Sequence, residues 1–175
     1  MPRLIVINGP PAAGKSTLAR RWVETHPAAL AIDVDVVREQ LGDWRADPQA
    51  AGRAARDIAA ATAASHLAEG HDVVVPQLLA RPEFPDRLAA LAGDGYVEVV
   101  LTLPRAESLR RYAQRWRDGV DPVHGQAPEP DLEEIGALYD RVLAFAAGRA
   151  HVAVPAGGTP EETWTALRLS VPPPS

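Results

Sequence analysis

The sequence predicts an α/β fold, a five-stranded parallel sheet with helices on both faces, and three observations predict it. Short β-branched apolar runs alternate with longer, Ala-rich helical stretches, and strands separated by helices pair in parallel through crossovers. A glycine-rich loop joins the first such strand to the first such helix. At 175 residues, 46% hydrophobic and 23% charged, the chain can bury one sizeable core. One domain over residues 1–171 is expected, with Pro172 to Ser175 as a frayed tail.

The elements follow in order. Leu4–Asn8 reads as a buried strand and Thr17–Glu24 as a helix. Leu30–Asp33 is a second, short strand, and Val36–Leu41 a short helix stopped by Gly42. Gln49–Glu69 is a long Ala-rich helix with Gly70 placed to end it. Asp72–Val75 is the third strand, and Pro85–Ala92 a helix ended by Gly93-Asp94-Gly95. Val97–Leu103 is the fourth and most hydrophobic strand, followed by an arginine-rich helix over Glu107–Arg117. Gly119, Pro122, Gly125 and Pro128 make 118–130 a mobile loop by expectation. Leu132–Ala147 is a helix and Val152–Val154 the last strand. Thr159-Pro160-Glu161-Glu162 is a capping box with proline at the first helical position, opening a final helix.

Composition excludes several chemistries. There is no cysteine, which removes disulfide scaffolds, thiolate metal sites and cysteine nucleophiles. The net charge of −5 opposes a broad nucleic-acid-binding surface. His26, His66, His71, His124 and His151 show no metal-ligand spacing. No segment approaches a membrane span and the N-terminus lacks a signal-peptide core, so a cytoplasmic protein is expected. Of the 18 basic residues only Lys15 is a lysine. A guanine-reading Asn-Lys-x-Asp downstream of the loop is therefore impossible.

Parallel sheets bind ligands beyond the C-terminal ends of their strands. The first such end carries Gly9-Pro10-Pro11-Ala12-Ala13-Gly14-Lys15-Ser16, which matches G-x-x-x-x-G-K-[ST] between strand and helix. The glycines let backbone N–H groups turn inward onto phosphate, and the helix N-terminus adds its positive end. Gly9 through Ser16, with Thr17 beside them, are therefore the candidate nucleotide-binding residues. Lys15 is placed to reach the β- and γ-phosphates, and the Ser16 hydroxyl to hold Mg²⁺. The third strand ends Val74-Val75-Pro76-Gln77, without the carboxylate that motor ATPases use, and the Leu-Ser-Gly-Gly of transporter ATPases is missing. Small P-loop kinases remain.

Asp33 and Asp35 lie two apart at the end of the second strand, so both can face the phosphate loop. A kinase needs one carboxylate for the proton of the attacking hydroxyl and help in holding Mg²⁺. The competing reading is that they cap the following helix, Asp35 standing where an N-cap would. This loop followed by Asp-x-Asp resembles shikimate kinase and adenylylsulfate kinase. Asp33-x-Asp35-x-Val37-Arg38 is similar to the Asp-Gly-Asp-x-Val-Arg of the latter, and Asp35 with Arg38 to the Asp-x-x-Arg of polynucleotide 5′-hydroxyl kinases. Chloramphenicol phosphotransferase and zeta-type toxin kinases carry a comparable Asp, which puts the chain among small, AAA-type P-loop kinases. The resemblance implies a strand order of 2-3-1-4-5. It also implies ATP and Mg²⁺ as cofactors, Asp35 as general base, Asp33 supporting the metal through water, and Arg38 on the acceptor.

The fourth strand leads into Arg105, Arg110, Arg111, Arg115 and Arg117. Arg111 and Arg115 are four apart and share a helix face. This segment resembles the Arg-x-x-x-Arg lid of small P-loop kinases, about 105–130, which implies that Arg111 and Arg115 stabilise the moving phosphoryl group. The alternative is a solvated helix. Gly157, in Pro155–Thr159 after the last strand, stands where related kinases flank the adenine; a plain connection is the other reading. Trp44, near Arg45, Arg53, Arg56 and Asp57, either stacks on an acceptor ring or belongs to the core. Gln77 and Arg81 follow the third strand and are candidates to line the acceptor pocket.

The first expectation is thus a kinase that phosphorylates a hydroxyl of a small molecule, an antibiotic, sugar, cyclitol or nucleoside, with a substrate site at Asp35, Arg38, Trp44 and Gln77. The second is a polynucleotide 5′-hydroxyl kinase, which the charge disfavours. The third is a nucleotide-binding regulatory module with no acceptor.

Overall fold

The computed structural model describes residues 1–119 and 129–171. Five parallel strands form one sheet in the order β2-β3-β1-β4-β5. They are β1 (Leu4–Asn8), β2 (Leu30–Ala31), β3 (Val73–Pro76), β4 (Tyr96–Thr102) and β5 (Val152–Pro155). Between and after them run α1 (Lys15–Thr25), α2 (Val34–Glu39), α3 (Pro48–Ala68), α4 (Glu83–Ala92), α5 (Arg105–Arg117), α6 (Leu132–Ala147) and α7 (Pro160–Ser170). The order is the one the resemblance implied. The 118–130 loop lies largely, and residues 172–175 wholly, outside the described residues.

Strand periodicity builds the layers. Along β1, Ile5 and Ile7 face one side and Leu4 and Val6 the other, all fully buried, because alternate side chains point to opposite faces. The first face packs on Leu18, Ala19 and Trp22 of α1 and Trp164 and Leu167 of α7. The second packs on Ala55, Ala59, Ala60 and Ala63 of α3 and on Phe84 and Leu88 of α4. The alanine row brings the α3 backbone close to the sheet. Each Val, Leu or Ile so enclosed contributes roughly 1.5–3 kcal/mol. No helix among the described residues is long and apolar enough to cross a membrane.

Two buried polar clusters tie the core's elements together. Arg3 donates to Asp72 from its backbone N at 2.8 Å and from Nε at 2.9 Å, tying β1 to the start of β3. Glu98 of β4 is 4% exposed and accepts from Arg149 Nε at 3.1 Å and from the Tyr96 hydroxyl at 3.0 Å. Burial beside that carboxylate pushes the Tyr96 pKa well up. Arg149 also pairs with Asp86 of α4 at 2.7 Å, so one guanidinium joins β4, α4 and the turn before β5.

One boundary differs in a way that matters. The second strand ends at Ala31, not Asp33, and Asp33 is the N-cap of α2. The Asp33 carboxylate accepts the Asp35 N–H at 3.1 Å, a local bond that starts the helix early. Asp35 therefore lies in the first helical turn, not at the cap.

Candidate functional site

The site gathers where β1, β2 and β3 end. Asn8, fully buried, accepts from Gly9 N at 2.7 Å and from Leu79 N at 2.9 Å. It fastens the root of the phosphate loop to the segment after β3. Gly9 takes φ +147°, and a Cβ there would meet Leu101 Cβ at 2.9 Å and the Leu101 carbonyl at 3.0 Å. Only glycine fits. Ala12 at φ +56° and Gly14 at φ +93° complete the curl, and Gly14 is the N-cap of α1 without a side-chain bond. The first-turn N–H groups of α1 are thus left for a ligand.

Within the loop Pro10, Pro11 and Ala13 are buried. The Ser108 hydroxyl of α5, buried completely, donates to Pro11 O at 2.7 Å and fixes the arginine helix against the loop. Neither Asn8 nor Ser108 was singled out from the sequence. Asn8, a polar residue closing an all-apolar strand, was the available signal; Ser108 gave none.

Lys15 Nζ donates to Gly9 O at 2.9 Å and Pro10 O at 2.8 Å. The residue is half-buried, and desolvation of its ammonium is the largest cause lowering its pKa to about 8. Arg115 lowers it further, while Asp35 and Asp33 pull the other way. Three charged groups, Arg115 of α5, Asp35 of α2 and the α2 N-cap Asp33, therefore act on Lys15. Arg111 is held elsewhere: Nε bonds Glu107 at 2.6 Å and an Nη bonds Ala156 O at 3.0 Å. Arg111 thus touches the loop carrying Gly157, whereas Arg115 acts on the phosphate-loop lysine. Glu107, shared by Arg110 and Arg111, is held down to a pKa of about 2 by those bonds.

Ser16 Oγ donates to Asp33 Oδ2 at 2.8 Å. Among the described residues no three His, Asp or Glu converge as a complete metal cage. A hydroxyl against one carboxylate is instead the partial donor set suited to Mg²⁺, which takes its remaining ligands from phosphate and water. The curled loop, the uncapped α1 terminus and Lys15 fit a triphosphate in the same way. Asp33 thus combines two expectations, the cap and the metal side, since each of its oxygens has its own partner.

Asp35 pairs with Arg38 at 3.2 Å. Trp44 belongs to neither core cluster; it is half-buried between the guanidiniums of Arg38 at 5.0 Å and Arg45 at 4.3 Å. Its core alternative is not realised. Gln77 N donates to Ile7 O at 3.1 Å, which sets the residue beside the loop's root. It lines a cavity of about 490 Å³ with Arg53, Arg56, Leu79, Arg81 and Phe84. The Gln77 Oε1 is buried there without a hydrogen-bond partner. Trp44 and Arg38 are not among the cavity's walls, so the expected acceptor residues divide into two groups.

A family model described as an AAA domain matches residues 4–142. No curated protein sequence matches. Among solved structures, a gluconokinase from Sinorhizobium meliloti 1021 is similar, with TM-score 0.60 and 20% identity over 97% of this chain and 94% of that one. A shikimate kinase from Acinetobacter baumannii in complex with shikimate gives TM-score 0.63 and 15% identity over 97% and 91%. A chain of the Pnkp1/Rnl/Hen1 RNA repair complex gives 0.66 and 18%, over 89% of this chain but 49% of that one. At these identities the likeness is one of fold.

Proposed function

The chain belongs to the AAA domain family, whose model spans most of its length, and from that premise we propose an ATP-dependent kinase that phosphorylates a hydroxyl of a small molecule. The observation that carries this reading is the convergence of Lys15, Arg115, Asp33 and Asp35 at the end of a phosphate loop whose Ser16 already meets Asp33 at 2.8 Å. Binding alone requires the loop and the lysine. Asp35, on the first turn of α2 and in electrostatic reach of Lys15, adds a base for which a pure nucleotide sensor has no use.

The division of labour follows from position. The hydroxyl oxygen bonds to the γ-phosphorus, the bond to the bridging oxygen of ADP breaks, and Asp35 accepts the hydroxyl proton. Lys15 and Arg115 stabilise the charge on the transferring oxygens. Arg38 orients Asp35, and Arg111 holds α5 to the loop after β5, near Gly157. Ser16 and Asp33 would hold Mg²⁺, which when bound neutralises charge on the β- and γ-phosphates.

The test is a screen of hydroxyl acceptors with labelled ATP, run beside Asp35→Asn and Lys15→Ala. Asp35→Asn is expected to lower kcat at least 10²-fold while changing nucleotide affinity less than about threefold. Full acceptor phosphorylation by Asp35→Asn would refute the mechanism. A second reading, a polynucleotide 5′-hydroxyl kinase, draws on the likeness to a chain of an RNA repair complex. It requires that oligonucleotides with a free 5′-hydroxyl outcompete every small acceptor.

A further inference from the structure

The cavity beside the phosphate loop gathers positive charge. The chain as a whole is acidic, at −5, yet Arg53, Arg56 and Arg81 all line this one cavity. Arg53 and Arg56 are three apart on α3, on one face of the helix. Arg81 comes from the segment between β3 and α4. Among the described residues none of the three has an ion-pair or hydrogen-bond partner. The nearby carboxylate of Asp57 is taken by Arg87, and Glu83 is the one acid in the lining.

Two further features point the same way. Helix α4 opens at the cavity through Glu83 and Phe84, with no side-chain cap on its first N–H groups. The Gln77 Oε1, buried and unpartnered, offers an acceptor for a hydroxyl. Three like charges around about 490 Å³ repel one another, and nothing in the lining besides Glu83 offsets them. The volume lies in the range of small-molecule sites. Gln77 and Leu79 connect the cavity's wall to the loop's root through Ile7 and Asn8.

We infer that this cavity is an anion subsite, and that the acceptor is a small hydroxy compound bearing a carboxylate or phosphate group. Arg53, Arg56 and Arg81 would grip that group, leaving the hydroxyl toward the phosphate loop. Guanidinium suits the task because its fork matches either oxyanion bidentately. The inference rests on the kinase reading for the word acceptor, but the anion subsite stands apart from it.

The experiment has two arms. Calorimetry measures malonate and inorganic phosphate binding to the full chain, in a Lys15→Ala background that weakens the phosphate loop's own contribution. The comparison is Lys15→Ala alone against Lys15→Ala with Arg53→Gln, Arg56→Gln and Arg81→Gln. One anion per chain, weakened at least tenfold by the three substitutions at unchanged melting temperature, is the expected result. No binding, or equal binding in both, overturns the subsite. Preference for malonate or for phosphate identifies the anionic group.

The second arm follows ADP formation on the otherwise unmodified chain. It compares polyhydroxy acids and polyol phosphates with their neutral amide and polyol counterparts. Anionic members are expected to lead by at least tenfold in kcat/KM, with the advantage lost through KM in the triple arginine variant. A neutral acceptor that leads, and is untouched by the triple variant, overturns the inference and leaves the kinase intact. A 5′-hydroxyl oligonucleotide that outperforms every small anion also overturns it. Transfer to no acceptor, with anion binding retained, refutes the kinase and keeps the subsite.

Discussion

Raising the pH should weaken nucleotide binding through Lys15 alone. Burial and Arg115 hold this ammonium at a pKa of about 8 in the free protein, despite Asp35 and Asp33. A bound triphosphate places several negative charges against it and keeps it protonated well above that value. Below pH 8 both forms carry the proton and affinity is flat. Above it the free protein loses the proton and the complex retains it, so binding takes one up. Linkage then gives a Kd rising as one plus ten to the power of pH minus 8, about eightfold from pH 7.5 to 9 and about 25-fold to 9.5. Proton uptake reaches about 0.9 per nucleotide at pH 9. The nucleotide's own last phosphate proton has left by then and adds no slope.

The unliganded fold should respond in the opposite sense. The Lys15 pKa is below its unfolded value of 10.5, so between about 8 and 10.5 the unfolded chain binds more protons, and this group adds stability as pH rises. Calorimetry of a non-hydrolysable ATP analogue in buffers of differing ionisation enthalpy reads both Kd and proton count. A Kd constant within twofold from pH 7.5 to 9.5, or an identical slope in Lys15→Ala, would refute the account.

Other consequences are more local. Gly9→Ala should cost about 2–4 kcal/mol and abolish nucleotide binding, because the new methyl meets Leu101 at a positive φ; Gly14→Ala, also at a positive φ but with open space around it, should cost only about 1–2 kcal/mol. Denaturant melts and ADP titrations separate the two. Arg149→Met leaves the Glu98 carboxylate buried without its cation, at about 3–5 kcal/mol, and adding Glu98→Gln should recover most of that loss of melting temperature. Lys15→Arg should nearly abolish transfer with the fold intact by circular dichroism, since a planar guanidinium cannot take the ammonium's place between the Gly9 and Pro10 carbonyls.

Much of this molecule is local in the chain and so could be read from it. The two-sided burial of β1 and the phosphate loop each depend on residues within one element or its neighbour, whereas the strand order, which sets β1 beside β3, was implied only by the resemblance. The unbroken apolar run Leu4–Ile7 marks a strand buried on both faces whatever lies around it. Gly9, Gly14, Lys15 and Ser16 carry their chemistry in their spacing, because the loop's curl is a matter of consecutive dihedral angles. Asp33 was harder. Its carboxylate chose between extending a strand and starting a helix, and the local bond from the Asp35 N–H, together with the Ser16 hydroxyl, decided for the helix.

What the tertiary structure alone decided are the meetings of distant residues. No spacing rule pairs Ser108 with Pro11, Asn8 with Leu79, or Arg149 with both Glu98 and Asp86. Arg111 and Arg115 look alike on a helical wheel, and only the packing of α5 sends one to Ala156 and sets the other to act on Lys15. Arg53, Arg56 and Arg81 likewise share a cavity only because α3 and the segment after β3 are brought side by side. The sequence determined by itself that a phosphate chain has a place here, since one continuous loop makes that place. What sits opposite is set by side chains from separate helices, whose approach depends on how the whole core packs.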